Sequence, residues 1–297
     1  MTQKDIIVNK IKNGLILENI SDFNAKHIFE CGQCFRWIKE DDDSYTGVAY
    51  NRVINVRSDY ENKKVIISNT DIEDFNNIWF DYFDLDRDYG SIKKKLSLDP
   101  TLKKAIKYGE GIRILKQQPW EILISFIISA NNRIPMISKS VNLLSELYGQ
   151  AIFYNGKKYY SFPTAKQLCK AELKDIERCR AGFRCKYINK AVNMLNDGEI
   201  NLKDIRNMEI DEARAELMKI PGVGIKVADC ILLFSMQKYD AYPVDVWVKR
   251  VTEYFYLECD TKLSDIHDFA QKRFGNLAGF AQEYLFYYAR ELKIGKS

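Results

Sequence analysis

The chain has 297 residues, 46% hydrophobic and 29% charged, enough for two or three domains with proper cores and free of low-complexity tracts. Its 45 basic and 41 acidic side chains leave a net charge of +4, with an acidic excess in the first hundred residues and a basic excess in the rest. That asymmetry suits a polyanionic partner, although a solvated surface would look the same. No apolar run of membrane-spanning length occurs and the N-terminal residues lack a signal-peptide core, so a cytoplasmic, membrane-free protein is expected. With only His27 and His267, a histidine triad or a histidine-rich metal site has no residues to draw on. Seven cysteines, an odd number, imply reduced thiols, and Cys31-x-x-Cys34, with no second pair at zinc spacing, is expected to be structural.

Along the chain, residues 33–69 read as strands. Phe35–Ile38, Tyr45–Tyr50, Val53–Arg57 and Val65–Ser68 are short β-branched or aromatic runs separated by acidic, Asn and Gly residues, the pattern of an antiparallel meander. From about residue 90 the pattern turns helical. Trp120–Ala130 is apolar enough for a buried helix, while Met136–Tyr148 and Arg184–Leu195 carry three-and-four spacing. Gly149 and Gly182 stand where helices should end, and residues 151–163 read as a surface excursion.

The most informative stretch is Glu212–Asp245. A short helix, Ala213–Ile220, is broken by Pro221-Gly222-Val223-Gly224, and a second helix, Ile225–Met236, follows with an apolar face. Glycines permit a tight turn and close approach of another backbone, and the free N–H groups at the start of the second helix form an anion site. Such a helix-hairpin-helix, centred on Gly222, Val223 and Gly224, grips a DNA phosphate without reading bases. Lys226 lies in the first helical turn, where a positive charge is disfavoured. An uncharged amine there can attack a sugar C1′, or the side chain can simply contact phosphate. Asp245 precedes the periodic stretch Val246–Phe255 and is a candidate N-cap. Near the lysine it could also stabilise an oxocarbenium-like sugar.

Ile220-Pro221-Gly222-Val223-Gly224-Ile225-Lys226-Val227-Ala228-Asp229-Cys230, followed by Pro243-Val244-Asp245, resembles the helix-hairpin-helix, Gly-Pro-Asp superfamily of DNA glycosylases. Within it, the chain resembles the eukaryotic-type 8-oxoguanine DNA glycosylases. Gly32-Gln33-Cys34-Phe35-Arg36-Trp37, Ser129-Ala130-Asn131-Asn132, Gly182-Phe183-Arg184 and Gly279-Phe280-Ala281-Gln282 with Phe286 resemble further family segments in the same order. The resemblance implies an α+β fold. An N-terminal antiparallel β-sheet domain over residues 1–105 would precede a mostly α-helical glycosylase body over 106–297. The hairpin falls at about 212–236 and the final helix packs back on the first domain.

The resemblance further implies that Lys226 attacks C1′, expels the base and forms a Schiff base open to β-elimination, with Asp245 stabilising charge at the sugar. Cys230, one turn after Lys226, and Phe286 would sandwich the flipped base, Gln282 would bond its Watson–Crick edge, and the Gly32 carbonyl would accept the N7 hydrogen that 8-oxoguanine has and guanine lacks. Taken singly, these residues also fit core packing or a turn. Asn131 would fill the vacated stack, Phe183 would wedge beside it, and Arg184 would contact the opposite base. No cofactor is needed, although hairpin carbonyls could hold a monovalent cation. The expected partner is double-stranded DNA containing oxidised guanine, bound by a monomer.

The sequence departs from the family at three places. Met136 stands where an arginine is usual, Phe183 replaces Tyr, and Trp247 replaces the His after Pro-Val-Asp-Val. Arg133, three positions from Met136, is expected to point elsewhere on the helix, so a weaker preference for cytosine opposite the lesion is expected. An iron–sulfur relative is disfavoured because the last cysteine is Cys259, and a monofunctional alkylpurine enzyme because Lys226 is present. A non-catalytic hairpin module would have no use for the Lys/Asp pair.

Overall fold

The computed structural model describes residues 6–294. Six strands, β1 (Ile7–Ile11), β2 (Gly14–Glu18), β3 (Trp37–Lys39), β4 (Tyr45–Ala49), β5 (Arg52–Asp59) and β6 (Lys64–Ser68), form one antiparallel sheet in the order β1-β2-β6-β5-β4-β3. Alternation sets its faces. Leu15, Leu17, Ile54, Val56, Val65 and Ile67 are buried on one side, against Trp79, Tyr82 and Phe83 and against Ile28 and Phe29 of helix α1 (Ala25–Glu30). Each such side chain contributes roughly 1.5–3 kcal/mol on burial.

The four strands expected between residues 33 and 69 are present with ends shifted by up to two residues. The strands β1 and β2 were not expected. Charged residues on the exposed β1 mask its alternation, and the Asn13-Gly14 step, with Asn13 at φ +59°, makes the turn.

The rest is mainly helical. The principal helices are α2 (Tyr89–Leu96), α3 (Pro100–Tyr108), α4 (Pro119–Ser129), α5 (Ile134–Tyr148), α6 (Cys185–Asn196), α7 (Ile210–Met218), α8 (Ile225–Met236), α9 (Val246–Thr252), α10 (Leu263–Phe274) and α11 (Ala278–Leu292). Residues Ile122 to Ser129 of α4 and Val227 to Met236 of α8 are buried on every side, so these two helices form the centre of the body. Side chains of α2 and α3 already belong to this core. The final helix returns to the sheet domain. Arg290 donates to the Glu30 carbonyl at 2.6 Å and the Cys31 carbonyl at 3.2 Å, and Tyr287 packs on His27 with ring centroids 5.4 Å apart.

The surface excursion expected at residues 151–163 takes the form of a hairpin, β7 (Ala151–Tyr154) and β8 (Lys157–Tyr160), closed by Asn155-Gly156 with φ of +46° and +72°, and two other expectations need correction. Two successive left-handed residues match the twist of a hairpin, and Asn-Gly supplies them cheaply. Gly182 ends no helix; at φ +61° it opens a 3-10 turn, Gly182–Arg184, that leads into α6. Arg133 is the N-cap residue of α5, with extended backbone, so its relation to Met136 is not that of two helical positions.

Candidate active-site cleft

A small cleft opens between the sheet domain and the helical body. Gly32, Lys226, Cys230, Asp245, Gln282 and Phe286 all line it, joined by Phe126, Phe234, Pro243 and Glu283. Residues more than 250 positions apart therefore meet in one space, and the reasons are local.

Gly32 is held by its neighbour. The buried Gln33 side chain donates to the Ile28 carbonyl (3.0 Å), the Cys31 sulfur (3.2 Å) and the Arg113 carbonyl (2.8 Å), and accepts from the Leu115 N–H (2.8 Å). The Gln33 carbonyl accepts from Gln117 Nε2 at 2.9 Å. These bonds clamp the Gly32 loop to residues 113–117, which run between the two domains. Gly32 has φ +108°, and a Cβ there would sit 3.0 Å from Phe286 Cε1 and 3.2 Å from Arg290 Nη1. Only glycine lets the loop lie this close to α11.

The hairpin presents the lysine. Gly222 has φ +89°, and a Cβ on it would meet the Tyr187 ring at 2.6 Å. Gly224 is exposed and N-caps α8 without a side-chain bond, leaving the first-turn N–H groups open. The Val223 N–H donates to the Ile220 carbonyl at 3.0 Å, closing the turn. Lys226 is half-buried and its Nζ lies 5.1 Å from the Phe126 ring centroid. Phe126 stacks on Phe234 at 5.6 Å and meets Phe35 edge-on at 5.4 Å, so the amine stands on an aromatic floor.

Asp245 caps α9. Its Oδ1 accepts from the Trp247 and Val248 N–H groups at 2.9 and 2.8 Å, which leaves Oδ2 free of the cap bonds. Burial raises its pKa, while the Val248 N–H, the charge of Lys226 and the Trp247 N–H pull the other way. Burial pushes the Cys230 thiol up to about 12, with Lys226 opposing. Cys230 is therefore a neutral wall at physiological pH rather than a nucleophile. Gln282 and Glu283 are 4% and 2% exposed, and Oε1 of each is buried without a hydrogen-bond partner. Burial moves the Glu283 carboxyl to about 7, against the lowering effects of the Cys31 thiol and Arg290.

A second group lies outside the cleft. Arg184 donates to the Ala130 carbonyl through Nε (2.7 Å) and Nη2 (2.5 Å), to the Asn131 carbonyl (2.9 Å) and to the Ala181 carbonyl (3.1 Å). Its guanidinium also lies 4.5 Å from the centroid of the Phe183 ring. It thus ties Phe183, 58% exposed, to the exposed, left-handed Asn131. Met136, 47% exposed, lies in the first turn of α5. These four residues form an outer edge rather than part of the cleft lining. Neither histidine reaches the cleft: His27 Nδ1 lies 2.6 Å from the Glu110 carbonyl, and His267 lies 3.7 Å from Asp229. Among the described residues no helix is long and apolar enough to cross a membrane, and no group of three or more His, Cys, Asp or Glu residues could hold a metal.

Sequence reasoning missed Phe126, Phe234, Pro243 and Glu283. The first three lie in runs legible as core or turn. Glu283 had one signal, a carboxylate in an otherwise apolar stretch of the last helix.

Residues 15–123 match the family described as 8-oxoguanine DNA glycosylase, N-terminal domain. The chain is 30% identical to the N-glycosylase/DNA lyase OGG1 of Arabidopsis thaliana, over 87% of this chain and 75% of that protein. It is 30% identical to the N-glycosylase/DNA lyase of Saccharomyces cerevisiae, over 93% of this chain and 85% of that one. Among solved structures it is similar to the Clostridium acetobutylicum 8-oxoguanine glycosylase/lyase in complex with double-stranded DNA containing cytosine opposite 8-oxoguanine. That likeness has 51% identity and a TM-score of 0.95, and covers 98% of this chain and 100% of that one. With the α+β architecture and the cleft as described, the chain belongs to the 8-oxoguanine DNA glycosylase family of N-glycosylase/DNA lyases.

Proposed function

We propose that the protein is a monomeric, bifunctional DNA glycosylase/AP lyase that works on cytoplasmic, nucleoid DNA. It flips 8-oxoguanine out of the duplex, removes it and then nicks the strand. The carrying observation is the convergence of Lys226 and Asp245 with Gly32, Cys230, Gln282 and Phe286 on one cleft.

The chemistry follows from the groups present. The Lys226 amine forms a bond to C1′ as the C1′–N9 bond breaks and its electron pair leaves with the base. The amine proton passes to the departing base or solvent, and the sugar ring opens to a Schiff base. Loss of the C2′ proton then expels the 3′-phosphate by β-elimination. Asp245, through Oδ2, offsets positive charge developing at the sugar. The Gly32 carbonyl rewards a base bearing N7–H and opposes one with an N7 lone pair. The open hairpin N–H groups of α8 suit a backbone phosphate.

The outer edge supports a relaxed choice of opposite base. Arg184 spends four hydrogen bonds on backbone carbonyls, and Met136 supplies a thioether that neither donates nor carries charge. A cytosine therefore finds fewer donors than an arginine at position 136 would give it. Single-turnover excision from duplexes with each of the four bases opposite 8-oxoguanine tests both parts of the reading. Release of 8-oxoguanine with strand nicking, opposite adenine as well as cytosine, is expected. No release opposite any base contradicts the activity, and release confined to cytosine contradicts the relaxed selectivity.

A further inference from the structure

Two acceptor oxygens in the cleft are buried and unpartnered: Gln282 Oε1 and Glu283 Oε1. An unpaired buried acceptor is costly, more so when charged, so orphans on two residues lining a ligand cleft call for donors on the ligand. The Cys31 thiol lies beside the Glu283 carboxyl, but its proton is given elsewhere. Cys31 is itself fixed, donating to the Ile28 carbonyl at 3.2 Å and accepting from Gln33 Nε2 at 3.2 Å. Arg290, which could otherwise have paired with Glu283, donates instead to the Glu30 and Cys31 carbonyls. The structure therefore leaves one oxygen of Glu283, like one of Gln282, without a protein donor.

We infer that Glu283 is a specificity-determining residue of the lesion cleft, accepting a hydrogen bond from the exocyclic amine of a flipped, guanine-type base while Gln282 accepts from the adjacent ring N–H. The inference rests on the glycosylase reading and deepens it. The Watson–Crick edge of guanine and its oxidised forms carries these two donors, and two residues lining the cleft each keep an unpartnered acceptor. With the Gly32 carbonyl facing N7–H, three acceptors would match the three N–H positions of 8-oxoguanine. Adenine-type bases have no ring N–H on that edge.

The geometry also gives the pocket a proton-linked character. The groups facing Glu283 are Cys31 and Cys34 from the loop, Cys230 from α8, Asp245 at the start of α9 and Arg290 on its own helix. Arg290 favours the ionised carboxyl, Asp245 opposes it, and burial holds it near 7. A donor from the base favours ionisation. Lesion binding therefore releases a proton below that pH, and affinity rises as pH increases through about 7.

The test compares wild type, Glu283→Ala and Glu283→Gln in single-turnover excision. One duplex carries 8-oxoguanine and the other 8-oxohypoxanthine, the same ring without its exocyclic amine. Glu283→Ala is expected to slow 8-oxoguanine excision about 10- to 100-fold, as for loss of a hydrogen bond to a charged group, and to leave 8-oxohypoxanthine nearly unaffected. Glu283→Gln, which keeps shape and an acceptor oxygen, is expected to fold normally, lie between the two, and lose the rise in lesion affinity between pH 6 and 8. Equal slowing on both bases, or no slowing of 8-oxoguanine, overturns the inference. A wild-type protein that excises neither base overturns the glycosylase reading beneath it.

Discussion

The cleft and the outer edge are built in opposite ways. In the cleft, Gly32, Cys230, Gln282 and Glu283 are buried or nearly so, and each is fixed by its own element: a clamped loop, the central helix α8, or the returning helix α11. At the edge, Asn131, Met136 and Phe183 are exposed, and one arginine bound to backbone carbonyls ties Phe183 to the Asn131 segment. Buried, cross-braced groups leave little room for change, whereas exposed ones exchange at small cost to stability. Of the three departures from the family, Met136 and Phe183 lie at the edge and Trp247 follows Asp245 in the first turn of α9, while none is among the residues lining the cleft. The two groups of residues are thus physically separate.

The largest break of this contrast comes from the nucleophile. Lys226→Gln should lower base excision on the order of 10⁴-fold or more while the duplex still binds, because a residue acting as part of a chemical unit is lost. Comparable activity in that variant, by single-turnover assay, would make Lys226 a phosphate contact. Next is Asp245→Asn. Asparagine is an equally good cap, so the melting temperature should hold, while excision falls about 10²- to 10³-fold with loss of the charge facing the sugar. The wild-type acid limb should lie above the ordinary aspartate value of 3.8, because burial raises this carboxyl and the ionised form is required; activity is lost as pH falls through it. A limb at the ordinary value would place Asp245 in open solvent.

Gly32→Ala probes the bracing. The left-handed backbone and the 3.0 Å approach to Phe286 force strain of about 1–3 kcal/mol or a shift of the loop. Excision of 8-oxoguanine should drop with stability, and an unchanged melting temperature would contradict the close packing. The smallest effect is expected at the edge. Met136→Arg should raise the preference for cytosine about tenfold, the lower range of a bidentate base contact, with the melting temperature unchanged. An unaltered preference would show that the edge does not read the opposite base.

What the sequence revealed follows the same division. Lys226, Asp245, Cys230, Gly32, Gln282 and Phe286 were legible because they lie in runs whose order along the chain is specific. The strands from Trp37 to Ser68 were legible by alternation. The strands β1 and β2 were missed because β1 exposes nearly all of its residues, which removes the hydrophobic half of the signal. The hairpin β7–β8 was missed because none of its residues is fully buried, although Asn155-Gly156 announced it. Arg184 was read as a base contact, yet the structure commits most of its donors to Ala130, Asn131 and Ala181. Bonds of this kind depend on tertiary placement and leave no periodic trace. Glu283 escaped because a glutamate on a helix normally faces water; only the return of α11 onto the Gly32 loop buries it.

The central claim is that a lysine at the head of α8 attacks the sugar of a base held in this cleft. Its most direct test is borohydride trapping on a duplex containing 8-oxoguanine, followed by peptide mapping of the covalent adduct. The account predicts one adduct, carried by the peptide containing Lys226 and absent in Lys226→Gln. Excision of the base without an adduct, or an adduct on another lysine, would contradict it.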